Sequence, residues 1–186
     1  MHRRRVLALA ASSVLLAGCS GSQSVLQRRD PPSTGELLTA ERPPAEPPRN
    51  ATDETAPPLD YPAKPASYTE QSAASFVEQY ERAYRRNTLL ERRGGELVSH
   101  DSDFAFTTPL AVSSEACVVR TQYRYTTIEK EAGSEQRTAG HSPWMLVTCY
   151  VDDSLVVRAE RDGDRDEKNV LRPDPWKTGT ILEPAE

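Results

Sequence analysis

The chain is poor in the side chains that most often carry chemistry. It has three histidines, three cysteines and nine glycines among 186 residues. His2 lies at the very start, so only His100 and His141 serve the remainder. Zinc centres need His and Cys at defined spacings, usually four ligands. His100-Asp101-Ser102-Asp103 puts three ligand types in one stretch but brings no second group, and it reads as a polar turn. There is no Gly-x-Ser-x-Gly elbow and no glycine-rich phosphate loop. His141 and Ser142 are neighbours, but Pro143 beside them marks a turn, and a catalytic pair is set by the fold rather than by adjacency. Asp162-Gly163-Asp164-Arg165-Asp166-Glu167 alternates acids as a calcium loop does. Glu167 then stands where that loop needs Gly, and Pro173 where it needs Glu, so a solvated acidic turn is the better reading. The residues thus nominate no catalytic group, no metal ligand and no cofactor.

A long apolar run is also missing. The longest, Val6 to Ala17, is interrupted by Ser12 and Ser13 and is short of the roughly 20 residues a membrane-spanning helix needs. Arg3, Arg4 and Arg5 precede it and small residues follow, which is the layout of an export signal. Leu16-Ala17-Gly18-Cys19 resembles the lipobox of bacterial and archaeal lipoproteins. That resemblance implies cleavage before Cys19 and a lipid on its thiol, on the outer face of the cytoplasmic membrane. The competing reading is an uncleaved amphipathic anchor in which Cys19 is incidental. Arg3-Arg4-Arg5-Val6-Leu7 also resembles a twin-arginine signal, with His2 and Val6 departing from its usual residues.

Lysine is scarce: only Lys64, Lys130, Lys168 and Lys177 occur, and the other basic residues are arginine. Residues 1–18 hold three arginines and no acid, so the remaining 168 residues carry a net charge of −8. A negative chain is a poor partner for nucleic acid, which needs a basic face. It gains nothing from anionic lipid either, so attachment rests on acyl chains, and one chain alone holds weakly. Little lysine with surplus acid is similar to the proteins of haloarchaea. Phe76 to Tyr84, with Val156-Val157-Arg158-Ala159-Glu160, likewise resembles small haloarchaeal lipoproteins of no known chemistry.

Proline is not scarce. Ten of the 15 prolines fall between residues 20 and 66, with few large apolar residues between them. Such a segment buries too little to offset the entropy of ordering. The expected organisation is a signal peptide over 1–18, a disordered Pro-rich linker over 19–66, a folded domain over 67–172 and a tail over 173–186. Asn50-Ala51-Thr52 is a glycosylation sequon in that linker, making Asn50 a candidate acceptor.

The folded part opens with a helix predicted over 69–92. Thr69 is its N-cap and Gly94-Gly95 its end. Ala73, Phe76, Val77, Tyr80, Ala83 and Tyr84 form an apolar stripe at helical spacing. Glu78, Glu81, Arg82, Arg85 and Arg86 are assigned to the opposite, solvated face, with Glu78–Arg82 and Glu81–Arg85 as i,i+4 pairs. After Gly95 the period becomes two. Four strands are expected: one through Phe104, Phe106 and Val112 (an edge strand, because of Pro109), then one near Cys117–Tyr125, one near Trp144–Val151 and one near Ser154–Ala159, with loops at Glu129–Pro143 and Asp152–Ser154. The fold class is α+β, one N-terminal helix packed on a four-stranded antiparallel meander. That order resembles the cystatin-like or nuclear-transport-factor-2-like layouts, a likeness that carries no activity.

Cys117 and Cys149 share the apolar parity of their strands. Pairing about Gly133 would set them directly opposite, within disulfide reach, and export favours oxidation. Two reduced cysteines packed as small apolar residues are the alternative, and a register slip would enforce it. Two function classes remain. One is a non-catalytic envelope module that binds a protein or ligand, with Leu146, Tyr150 and Val156 forming an apolar patch on the nominally wet face, unless residues 162–186 fold back over them. The other is a small hydrolase or isomerase with a pocket between helix and curved sheet.

Overall fold

The computed structural model describes residues 43–163 and 172–182. The expected signal, cleavage point and lipid attachment, on residues 1–19, lie outside the described residues. One helix packs on an antiparallel sheet, so the α+β class stands, but the sheet has six strands rather than four. Helix α1 spans Glu70–Arg93. The strands are β1 (Leu97–Val112), β2 (Cys117–Lys130), β3 (Arg137–His141), β4 (Met145–Val151), β5 (Val156–Asp162) and β6 (Thr180–Leu182). The sheet order is β1-β2-β4-β5-β6, with β3 pairing the far end of β2.

Helix α1 begins where its capping chemistry dictates. The Thr69 hydroxyl accepts from the Ser72 N–H at 3.1 Å, and the Ser72 hydroxyl accepts from the Thr69 N–H at 2.8 Å. Two N–H groups without helical partners are thereby satisfied. The helix ends at Gly94, whose φ of +60° few other residues adopt at low cost. Gly95 is needed for another reason: a Cβ there would lie 2.1 Å from the carbonyl oxygen of Asn50.

That contact exposes the first correction. Residues 43–66, expected to be part of a disordered linker, lie along α1 and form a strap. Asn50 Oδ1 accepts from the Gly95 N–H, and the Ala56 N–H donates to the Leu97 carbonyl at 2.8 Å. Further along, Leu59 pairs with Asn87, Tyr61 packs on Tyr80, and Lys64 Nζ donates to the Asp152 carbonyl at 2.6 Å. The strap carries no helix or strand, yet Ala56 is buried in a cluster with Leu89, Leu90 and Leu97. Proline density signals the absence of regular hydrogen bonding. It does not prevent an extended chain from packing aromatic and apolar side chains.

The expected loop at Glu129–Pro143 is about half sheet, with residues 131–136 and 142–143 outside the strands. Strand β2 runs on to Lys130, and β3 pairs it from Thr126↔His141 to Lys130↔Arg137. Pairing resumes at Tyr123↔Met145 in β4, one residue out of step. The residues between, Ser142 to Trp144, include Pro143, which cannot donate to a ladder. The expected tail is also part of the fold. Helix α2 (Pro175–Thr178), N-capped by Asp174, lies on β5, and β6 pairs β5 from Val156↔Leu182 to Arg158↔Thr180. Among the described residues, 43–66 and 173–182 therefore pack with the expected domain.

Both faces of the sheet are covered. Toward α1 the core comprises Phe76, Val77, Tyr80, Cys117, Val119, Tyr123, Val147, Cys149, Val151 and Val156. On the reverse face Val118, Gln122, Leu146, Thr148, Val157 and Ala159 are buried as well, although the alternation in β2 reads as one wet side. Val156, expected on the wet face, belongs to the core beneath α1. Tyr150 packs against Trp176 of α2, ring centroids 5.6 Å apart, and Leu146 abuts Gly163. The apolar patch that favoured a docking surface is thus covered. Ile128 is the exposed large hydrophobic residue among those described, at 38%.

Candidate functional site

Chemistry-bearing groups converge between α1 and the sheet, at helix positions expected to face solvent. Glu81 follows Val77 by four residues and precedes Arg85 by four, so it lies beside Tyr80 and Tyr84 on the buried stripe. It is fully buried. Arg158 reaches it from β5: Nε donates to Glu81 Oε1 at 2.8 Å and Nη2 to Oε2 at 2.9 Å, a bidentate pair. Register explains the meeting. Arg158 pairs with Cys149, and Cys149 is on the helix-facing side of β4. The same Arg158 Nη2 also donates to Glu160 Oε2 at 2.6 Å, and Arg85 Nη2 donates to that oxygen. Arg85 Nε donates to the Tyr123 hydroxyl at 3.2 Å, whose proton goes to Glu81 Oε2 at 3.0 Å. Two acids and two bases thus close a loop, with a tyrosine bridging them. The i,i+4 pair expected between Glu81 and Arg85 is replaced by these cross-layer partners.

The protonation states follow from the partners. Burial opposes the charge of Arg158, but the Glu81 carboxylate more than offsets it and holds the guanidinium protonated far above its usual range. Burial likewise opposes Arg85, where the Tyr123 oxygen and Glu160 favour the cation. Glu160 is the member that reaches solvent, its side chain 37% exposed; against the pull of burial, Arg158 and Arg85 hold its carboxyl below the usual range. Aromatic rings complete the walls. The Arg158 guanidinium lies 4.4 Å from the Tyr84 ring centre and that of Arg85 5.4 Å from Tyr125. Each of these charges is paired within the cluster, which ties α1 to Tyr123 on β2 and to Arg158 and Glu160 on β5.

Cys117 and Cys149 are both free and buried, so the candidate disulfide is corrected. The β2–β4 register pairs Cys117 with Val151 and Val119 with Cys149, two residues from the arrangement that would set the cysteines opposite. Diagonal neighbours of this kind lie about 7–8 Å apart, beyond disulfide geometry. Burial pushes the Cys117 thiol up to about 12. Cys149 is raised well above its ordinary value, by burial and then by Glu81, whose Oε1 is 3.7 Å from its sulfur. Neither thiol is set up as a nucleophile.

His100-Asp101-Ser102-Asp103 is not a turn but part of β1. His100 is buried, with Nε2 3.5 Å from the Ser102 hydroxyl and its ring 5.5 Å from that of Tyr125. Burial, then the Arg86 and Arg85 charges, lower its pKa to about 4. His141 ends β3 and is exposed; the Ser142 hydroxyl donates to the Pro143 carbonyl rather than to that histidine. Asn50 is exposed in the strap, its side-chain Oδ1 accepting from the Gly95 N–H. Cys19 and Asp164–Glu167 lie outside the described residues. Among the described residues no group of His, Cys, Asp and Glu converges as a metal site, and no helix is long and apolar enough to cross a membrane.

Compared with known protein families, the chain matches no family model. No curated protein and no solved structure matches it either.

Proposed function

We propose that the chain is an exported lipoprotein, held by a lipid on Cys19 at the outer face of the cytoplasmic membrane, whose folded domain is a non-catalytic binding or structural module of the cell envelope. The anchor rests on Leu16-Ala17-Gly18-Cys19 following a basic start and a short apolar run. The observation that carries the non-catalytic reading is the closed Glu81–Arg158–Glu160–Arg85 loop. It fills the space between helix and sheet where a hydrolase or isomerase of this layout would hold its substrate. The strap alters the geometry of display. Because residues 43–66 are fastened to the domain, only residues 20–42 separate it from Cys19, a span of at most about 80 Å.

Membrane fractionation with intact mass of the mature protein tests the reading. Wild type should be found in the membrane with Cys19 first and an acyl mass added. Cys19→Ser should leave the protein unprocessed or release it to the soluble fraction. Unchanged cleavage and fractionation in that variant would refute the anchor.

A further inference from the structure

The strap meets α1 through a device that reads peptide backbone rather than side chains. The Asn87 side-chain amide faces Leu59 in both directions: Oδ1 accepts from the Leu59 N–H at 2.9 Å and Nδ2 donates to the Leu59 carbonyl at 2.8 Å. Asn87 is nearly fully buried by this pairing, at 2% exposure. On either side of that clamp lie a backbone bond, Ala56 to Leu97, and an aromatic seat, the Tyr61 ring 5.1 Å from that of Tyr80. The seat continues on α1 through Tyr84, stacked 6.4 Å from Tyr80. An amide clamp beside an aromatic row is a groove for an extended, proline-bearing segment. Residues 56–64, with Pro57, Pro58 and Pro62, are its occupant here.

The occupant is held so that it can leave. It contributes no strand and no helix, and its prolines offer no N–H, so detachment breaks few backbone hydrogen bonds. Proline stiffness also lowers the entropy cost of docking again. The connection to α1 is short: Tyr68 is fixed by its N–H to the Ser114 carbonyl and by burial, whereas Ala66 and Ser67, between it and Lys64, are exposed. We infer that the Asn87–Tyr80 groove of α1 is an exchangeable peptide site, and that its partner in trans is the strap of a second copy of this chain, with residues 56–64 in the groove and residues 43–55 carried with them from their own Gly95 contact to the partner's, giving strap-exchanged dimers that pivot at Pro65–Ser67. The second copy is the favoured partner because its strap has by construction the complementarity already seen, and because swapping an identical segment creates no new interface to optimise.

The test uses the full chain in detergent, in two preparations mixed at high concentration. One carries a photo-crosslinking residue at position 59 and an affinity tag; the other is untagged wild type. Expected is a cross-link from tagged to untagged chain, mapped by mass spectrometry to residues 84–90, that falls at least tenfold when a synthetic peptide of residues 52–64 is added in excess. A second variant lacking Ala66 and Ser67 cannot seat its own strap as easily and should shift from monomer to dimer by light scattering. Cross-links confined to single chains in the mixed sample overturn the exchange, whether or not the hinge variant folds. Equal competition by an unrelated proline-rich peptide of the same length overturns the choice of a second copy as partner.

Discussion

Helix α1 and the strap cover the same side of one sheet by opposite means. The helix satisfies its backbone internally, so its side chains are free to bury a mixed cargo of aromatic rings and charges. The strap has no internal ladder and borrows partners from the helix and sheet: Gly95, Leu97, Asn87 and Asp152. The helix is therefore held from within its contact area and the strap at separate points. Loss of one buried group should therefore harm the whole fold when it lies under α1, and loosen one segment when it lies under the strap.

The largest effect is expected under the helix. Glu81→Ala leaves Arg158 buried and without its bidentate partner. Removing one member of such a pair costs about 3–5 kcal/mol, toward the lower end here because Glu160 still faces the buried guanidinium. Replacing both, as Glu81→Leu with Arg158→Met, should restore most of that loss. Denaturant unfolding of the single and double variants reads the difference. A single variant within about 1 kcal/mol of wild type would show that α1 does not depend on the cluster.

Next in size is a pH effect at His100, beneath the arginines of α1. Its folded pKa, about 4, lies below the ordinary value of 6.5. The unfolded chain therefore binds the proton first, and stability falls as pH drops through the window from about 6.5 to about 4. Arg82, Arg85 and Arg86 face this histidine from the helix, and Asp101 adjoins it on β1. A difference of this size amounts to about 3 kcal/mol. Thermal midpoints measured from pH 7 to pH 4 should decline more steeply in wild type than in His100→Gln, which removes the titration while keeping a polar side chain.

The strap should respond more weakly and locally. Asn87→Ala removes both hydrogen bonds to Leu59 and should cost about 1–2 kcal/mol. Its distinguishing sign is distribution: amide exchange should quicken at Ala56 and Leu59 while α1 amides around Tyr80 keep their protection. Equal loss of protection in both elements would mean that strap and helix open as one unit.

These differences also mark where sequence reading succeeds. The helix was legible to within a residue at each end, because Thr69 and Gly94 are capping residues and the stripe from Ala73 to Tyr84 has one period. Edge strand β1 was legible from Pro109, and the α+β class from the switch of period after Gly95. The strap was not legible, since proline counts report missing N–H donors and not packing. β3 was missed because Arg137-Thr138-Ala139-Gly140-His141 has no apolar alternation: four of its five residues are exposed, and pairing to β2 alone makes it a strand. The buried cluster was missed by assigning charge to solvent. The signal was present in two places, Glu81 set between Val77 and Arg85 on the tyrosine-bearing side, and Arg158 embedded among Val156, Val157 and Ala159. The cysteine register failed for two smaller reasons, each worth one residue: the β2–β3 hairpin centres half a residue past Gly133, and the pairing slips by one more between β3 and β4, beside Pro143.

The smallest effect belongs to the solvent side of α1, where Glu78 and Arg82 pair at 3.1 Å with both side chains more than a third exposed. Water screens such a pair, and holding two long side chains in place costs entropy, so Glu78→Ala should lower stability by only about 0.2–0.5 kcal/mol. Arg82 is different although it belongs to the same pair. Its guanidinium also donates to the Ser102 carbonyl at 3.1 Å and lies 4.6 Å from the Phe104 ring centre, against edge strand β1. Arg82→Ala should therefore cost more than Glu78→Ala, and the excess should persist in 1 M salt, where the ion-pair part is screened away. Parallel denaturation of the two variants at low and high salt separates the contributions. Equal losses that vanish together in salt would show that Arg82 acts through Glu78 alone and that the edge of β1 is not held by the helix.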